Sequence, residues 1–229
     1  MERFLFTKLS MLIVIALVLQ MHGYKDCLEK ERTALLEIKA FYINSFSLES
    51  WVDDKVSDCC DWDYIGCNTT TGQVVNLSLS VVLDKHNSYP PPCPILNFSM
   101  FEPFEELQGL GLASNSLEGF VGSRESLKQL KILDLRYNYF NNSILSCLTT
   151  LTSLNTLLLK GNNLEDSNMK QGIELANLRN LEVLDLSFTR ITSTAIANLR
   201  NLKFLNLCNN AISGTLQELG NIYYDCTSN

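Results

Sequence analysis

Residues 58–67 read DCCDWDYIGC, three cysteines and a tryptophan within ten residues. Thiols at that density serve one of three ends: they ligate a metal, cycle a disulfide, or tie a fold together. A closed zinc site takes four ligands. Beyond residue 23, however, the chain holds one histidine, His86, and the cysteines do not follow C-x-x-C spacing. The lack of any C-x-x-C pair also speaks against a thioredoxin-like redox centre. His86 sits in a proline-bounded loop, 84–94, with no nucleophile placed beside it, so it is expected to be a solvated loop residue rather than part of a catalytic triad. There is no phosphate-binding glycine loop and no dinucleotide fingerprint, and no cofactor is expected. Two carboxylates, Asp134 and Asp185, remain as an acid/base pair, provided the fold brings them together.

The elements that would position these groups begin with an export signal. Arg3 and Lys8 precede an apolar run, 11–19 (MLIVIALVL), and Gly23 follows. Nine helical residues reach about 13 Å, well short of the ~30 Å hydrocarbon core. Residues 1–23 are therefore expected to be a cleaved secretory signal. No later run is long enough to span a membrane, and no membrane insertion is expected. The formal charge is −7, and losing Arg3, Lys8 and Glu2 makes it more negative. An acidic chain has no electrostatic footprint for nucleic acid. In an exported protein the eight cysteines read as disulfides. Four sequons, at Asn68, Asn76, Asn97 and Asn141, fit export and are the expected glycosylation sites.

The second half repeats itself. LQGLGLASNSL starts at Leu107, LKILDLRYNYF at Leu130, LNTLLLKGNNL at Leu154, LEVLDLSFTRI at Leu181 and LKFLNLCNNAI at Leu202. All five follow L-x-x-L-x-L-x-x-N-x-L, with Thr189 in place of asparagine in the fourth. Leucines two apart face one side of a short strand. Asn115, Asn138, Asn162 and Asn210 then occupy a turn where an amide can both donate to and accept from buried backbone. Thr189 has a shorter reach, so its rung should be weaker. The pattern predicts an α/β leucine-rich-repeat solenoid with a short parallel concave sheet. The return halves keep little of the L-x-G-x-I-P pattern, so no continuous second sheet is expected on the convex side.

Stacked strands would set Asp134 and Asp185 in one column about 10 Å apart, near the separation of an inverting glycosidase pair. Leu158 stands between them, and Arg136 and Lys160 occupy the next column, which favours a solvated charge ladder over catalysis. The chain is not expected to be an enzyme. The outward residues Ile132, Asp134, Arg136, Tyr137, Lys160, Asp185, Phe188, Phe204 and Asn206 instead offer aromatics among charges, a surface suited to a peptide, protein or glycan.

Upstream, Asp26 offers a helix cap, Leu28, Leu35, Ile38 and Tyr42 follow at helical spacing, and Asn44 and Ser45 form a stop. After the cysteine cluster, Val75, Leu77 and Leu79 alternate as in a strand. A helix and a cystine-tied strand directly before a solenoid make a cap for the first repeat's leucines. The set CLEKERTALLEIKAF, CCDWDYIGC and GQVVNLSL resembles the disulfide-tied helical N-terminal cap of plant leucine-rich-repeat receptor-like proteins. The resemblance divides the chain into a cap at 24–80, a proline-containing insertion at 81–106, five repeats at 107–219 and a non-repeat tail at 220–229. It also implies that Cys27 pairs with Cys59 and Cys60 with Cys67, with Trp51 and Trp62 packed under the cap. Cys93, Cys147, Cys208 and Cys226 are left open; Cys208 either pairs with Cys226 or is a free thiol.

The chain stops at NIYYDCTSN without a recognisable closing cap, so Leu202, Leu205 and Leu207 are expected to lie in a terminal strand with an unpaired edge. By the resemblance, a complete receptor-like protein would carry more repeats, a transmembrane helix and a short cytoplasmic tail, and would signal through a partner kinase. The expected function is an extracellular, non-catalytic ligand-recognition module in defence or developmental signalling. It would be secreted or stand at the outer face of the plasma membrane. The alternatives are a secreted inhibitor resembling polygalacturonase-inhibiting proteins, or a shortened product without independent function.

Overall fold

The computed structural model describes residues 26–41, 48–54, 56–80, 95–123, 125–165, 177–191, 201–212 and 223–224. The expected export signal, Tyr42, Asn44, Ser45, the loop with His86 and Cys93, and Cys226 lie outside the described residues.

The cap begins with helix α1 (Glu29–Phe41). Its expected Asp26 cap is not used. The Leu28 carbonyl accepts the N–H groups of Glu31 and Arg32, so the first turn starts two residues later. Ala34, Leu35 and Ile38 form the buried stripe, and Glu31 falls on the same stripe with no solvent exposure. Strands β1 (Ile65–Cys67) and β2 (Val74–Ser78) then pair antiparallel. The register shifts between Gly66 and Cys67, and Cys67 faces Val74 while Gly66 faces Asn76. That bulge places Val75 out of phase. Val74, Leu77 and Leu79 are the buried set, and the alternation expected from Val75 is overturned.

The repeats supply β4 (Gly109–Gly111), β6 (Ile132–Asp134), β7 (Thr156–Leu158), β8 (Val183–Asp185) and β9 (Phe204–Asn206), each three residues long. With β1, β2 and β10 (Tyr223–Tyr224) they form one eight-stranded sheet, parallel from β2 onward. Leu77, Leu110, Leu133, Leu157, Leu184 and Leu205 are in register across it, and each is at most 1 % exposed. Full burial of a leucine side chain stabilises by roughly 1.5–3 kcal/mol, so this one column holds much of the solenoid's cohesion. The expectation of an unpaired edge at β9 fails, because β10 pairs with it through Tyr223–Phe204 and Tyr224–Leu205.

Opposite the sheet, β3 (Ile95–Asn97) and β5 (Gly119–Val121) form a separate two-stranded sheet. No continuous convex sheet follows among the described residues. The second repeat turns back through α2 (Ser143–Leu148), which buries Ile144, Leu145 and Leu148. Phe98, Phe120 and Phe140 stack along the convex side, with ring centroids 4.1 and 4.8 Å apart. Their contacts join successive repeats there, as ladder hydrogen bonds do on the other side.

The asparagines form the expected ladder. Each donates back to the preceding unit, the cap for the first repeat and the previous repeat for the others: Asn115 to Leu79 O (2.7 Å), Asn138 to Leu112 O (2.9 Å), Asn162 to Leu135 O (2.9 Å) and Asn210 to Leu186 O (2.7 Å). Thr189 breaks the series. Its hydroxyl proton serves Leu186 O or Asn210 Oδ1, and among the described residues it makes no bond to Leu159 O.

Candidate recognition surface

The cap is held by Cys27–Cys59 and Cys60–Cys67, each with Cα atoms 5.6 Å apart. Trp51 and Trp62 stack inside it with centroids 5.9 Å apart. Arg32 covers Trp62 at 4.9 Å and donates to the carbonyls of Ser57, Val52 and Asp54. Cys27, Asp58 and Cys59 bring their ligand atoms together as a metal site would. Both sulfurs are bonded to each other, and the Asp58 carboxylate accepts the N–H groups of Cys27 and Cys60. The cluster is a structural knot. Cys208 is disulfide-bonded to a partner outside the described residues, so its reading as a free thiol is overturned; Cys147 is a free thiol.

On the concave face the register sets Ser78, Gly111, Asp134, Leu158, Asp185 and Asn206 in one column. Three of these close their own turns. Asp134 Oδ1 accepts from Arg136 N (3.1 Å), Asp185 Oδ1 from Ser187 N (2.9 Å) and Asn206 Oδ1 from Cys208 N (3.1 Å). Asp134 is further engaged by the Arg136 guanidinium, at 2.9 Å to Nε and 2.6 Å to Nη2. That pairing holds Arg136 above its usual range, and Asp185 adds a smaller push in the same direction.

The second cluster lies at the strand ends. Tyr137 and Phe188 are each 48 % exposed, and the Lys160 ammonium stands 5.7 Å from the first ring centroid and 4.9 Å from the second. Gly161 lies beneath Tyr137, and a β-carbon there would meet the Tyr137 Cδ1 at 2.7 Å. Ile132 is 47 % exposed, but it occupies a different column with Thr156, Val183 and Phe204. The sequence candidates thus separate into turn-closing residues (Asp134, Asp185, Asn206), an ion-paired Arg136, and an aromatic–lysine cluster. The parts of Gly161 and Ser187 were not anticipated. A glycine between aromatic-bearing repeats was the only signal for the first.

The sequons differ in setting. Asn68 Nδ2 donates to Glu106 Oε2 (3.1 Å), whereas Asn97 and Asn141 are exposed and accept from Ser99 N and Ser143 N. Asn76 is exposed on β2, opposite Gly66 and Gly109.

A parallel sheet of registered leucines, an asparagine ladder and a cystine-tied cap define the leucine-rich-repeat class, and this chain belongs to it. Residues 28–68 match the leucine rich repeat N-terminal domain, and 129–151, 180–202 and 201–222 match the Leucine Rich Repeat model. Within the class, the chain is 42 % identical over 184 residues to Receptor-like protein 9b of Arabidopsis thaliana, a match covering 77 % of this chain and 19 % of that protein. It is 37 % identical over 210 residues to Receptor like protein 21 of the same plant, covering 85 % and 21 %. The chain therefore spans about a fifth of the length of the curated relatives it matches. Among solved structures it is similar to the Arabidopsis receptor kinase HAESA in complex with the peptide hormone IDA and the co-receptor SERK1. There the TM-score is 0.65 at 25 % identity, covering 86 % of this chain and 33 % of that one. Among the described residues no helix is long and apolar enough to cross a membrane.

Proposed function

We propose that the concave face is an extracellular recognition surface for a peptide or protein ligand, the amino-terminal part of a receptor-like ectodomain, and that it acts without catalysis. The observation that carries this is the exposure of Tyr137 and Phe188 at the ends of the concave strands, beside Arg136 and Lys160. Two aromatic rings held half in water around a lysine, on one face and two repeats apart, are the kind of anchor a binding surface presents. The similarity to receptor-like proteins, and to a receptor kinase solved with a peptide hormone and a co-receptor, supports a peptide ligand and a second membrane-bound kinase chain as partners. The same relatives and the disulfide-tied cap support placement outside the cell.

The test is retention of small peptides from plant extracellular fluid on the immobilised chain. A concave variant combining Ile132→Ser and Phe188→Ser should lose peptides that the unmodified chain holds, while the convex control Val121→Ser keeps them. Equal retention by all three overturns the proposal.

A further inference from the structure

The residue immediately before the ladder position adopts the same kind of turn in every repeat. Ser114, Tyr137, Gly161, Phe188 and Asn209 all have positive φ, from 54° to 69°. Glycine takes that conformation freely and asparagine readily, whereas an aromatic residue takes it at a cost. The second and fourth repeats nevertheless place Tyr137 and Phe188 there, half exposed, where neither fills the core. Between them the third repeat carries Gly161, which leaves room for the Tyr137 ring, and Lys160, whose ammonium lies over both rings.

The lysine is unbalanced. Lys30 has Glu105, Arg136 has Asp134, Arg190 has Glu165 and Lys203 has Glu182. Among the described residues Lys160 has no carboxylate within ion-pair distance and rests on ring faces alone. In the same row, one strand on, the Ser187 hydroxyl is buried without a hydrogen-bond partner. A cation without an anion and a hydroxyl without a partner leave this row unfinished.

The geometry points to a subsite for a carboxylate in an extended peptide, held by Lys160 and flanked by apolar residues that pack on the edges of Tyr137 and Phe188. Two strand spacings set the ring-bearing repeats about 10 Å apart, which is roughly three residues of extended chain. A peptide crossing the strands thus meets one ring with one residue and the second ring three residues later, with an acidic residue between. A uronic sugar also carries a carboxylate, but it would stack on a ring face, and the faces here are engaged by the ammonium. This subsite rests on the concave face being the recognition surface.

The experiment titrates the secreted full chain at low ionic strength with acetyl-Gly-Pro-Asp-Gly-Leu-Gly-amide, with its Asp-to-Asn counterpart, and with trigalacturonic acid. The acidic peptide should bind about tenfold more tightly than its amide counterpart, the size expected for one charge-assisted contact. Lys160→Met, which keeps the aliphatic stem, should remove that difference. Tyr137→Gly, which relaxes the backbone, should weaken the acidic peptide while leaving thermal unfolding no worse. Equal affinity for the two peptides, no binding by either, unchanged preference in Lys160→Met, or stronger Lys160-dependent binding of trigalacturonic acid each overturns the subsite. If extracellular peptides still depend on Ile132 and Phe188 while Lys160→Met has no effect, concave recognition stands and this subsite alone falls.

Discussion

The Tyr137 ring lies over Gly161 so closely that a β-carbon on Gly161 would stand 2.7 Å from Tyr137 Cδ1. Gly161 also has φ +69°, so alanine there meets both a ring and a backbone penalty. Gly161→Ala should cost about 1–3 kcal/mol in urea unfolding. Part of that cost should vanish in a Tyr137→Gly background, where the ring is gone. Identical costs in the two backgrounds would mean the ring does not define the site.

Glu31 is fully buried, with one carboxylate oxygen accepting Val74 N at 3.0 Å and the other unpaired. Burial raises its pKa from 4.5 to about 7, with Val74 N and Lys30 opposing and Glu106 and Glu105 adding to the rise. The folded state therefore holds the proton more tightly than the unfolded chain. This contribution is complete below pH 4.5 and is lost as pH rises through about 7. Across that window Glu31 should forfeit on the order of 2–3 kcal/mol. Glu31→Gln removes the titration, and its stability should exceed that of the parent increasingly from pH 5 to 8. Parallel pH profiles would refute the assignment.

Asn138 makes four buried hydrogen bonds: it donates to Leu112 O and Leu135 O and accepts from Asn115 N and Leu117 N. Asn138→Ala should cost about 2–4 kcal/mol, because several backbone groups lose their partner together. Thr189→Asn should stabilise by about 1 kcal/mol, by supplying the bond toward Leu159 O that threonine does not make. Chemical denaturation of both variants decides; a destabilised Thr189→Asn would show that the fourth repeat has adapted to the shorter side chain.

The two cap disulfides close loops of different length, with sequence separations of 32 and 7. Loop-closure entropy predicts a loss of about 4 kcal/mol on removing Cys27–Cys59 and about 2 kcal/mol on removing Cys60–Cys67. Paired Cys→Ala variants, compared by thermal unfolding, should keep that order. The reverse order would place native packing of Cys60 and Cys67 above chain entropy as the source of their effect.

Much of the concave surface was legible beforehand. The registered copies located every repeat strand and every ladder asparagine, because a leucine pattern of that length has one face to bury. The weak rung at Thr189 followed from side-chain reach alone. Other features were not legible. The bulge at Val75 arises from pairing with Gly66 and Cys67 across a turn. Asp134, Asp185 and Asn206 looked like open surface groups, yet each spends an oxygen on a backbone N–H two residues on. Glu31 lies on the helix stripe with Ala34, Leu35 and Ile38, but its burial depends on a tertiary contact, the Val74 N–H that donates to its carboxylate, which no local pattern states. The terminal edge at β9 was misjudged because Tyr223 and Tyr224 carry no repeat signature.

By itself, then, the sequence determined the repeat, its strands, its inward leucines and the amide column, since these depend on local periodicity that each repeat states again. Tertiary structure decided which outward groups remain available. Whether Arg136 is free or Lys160 is unbalanced depends on neighbours brought together from different repeats. Whether Tyr137 can lean over position 161 depends on a glycine one repeat away. Those outcomes depend on distances between side chains that the period does not encode.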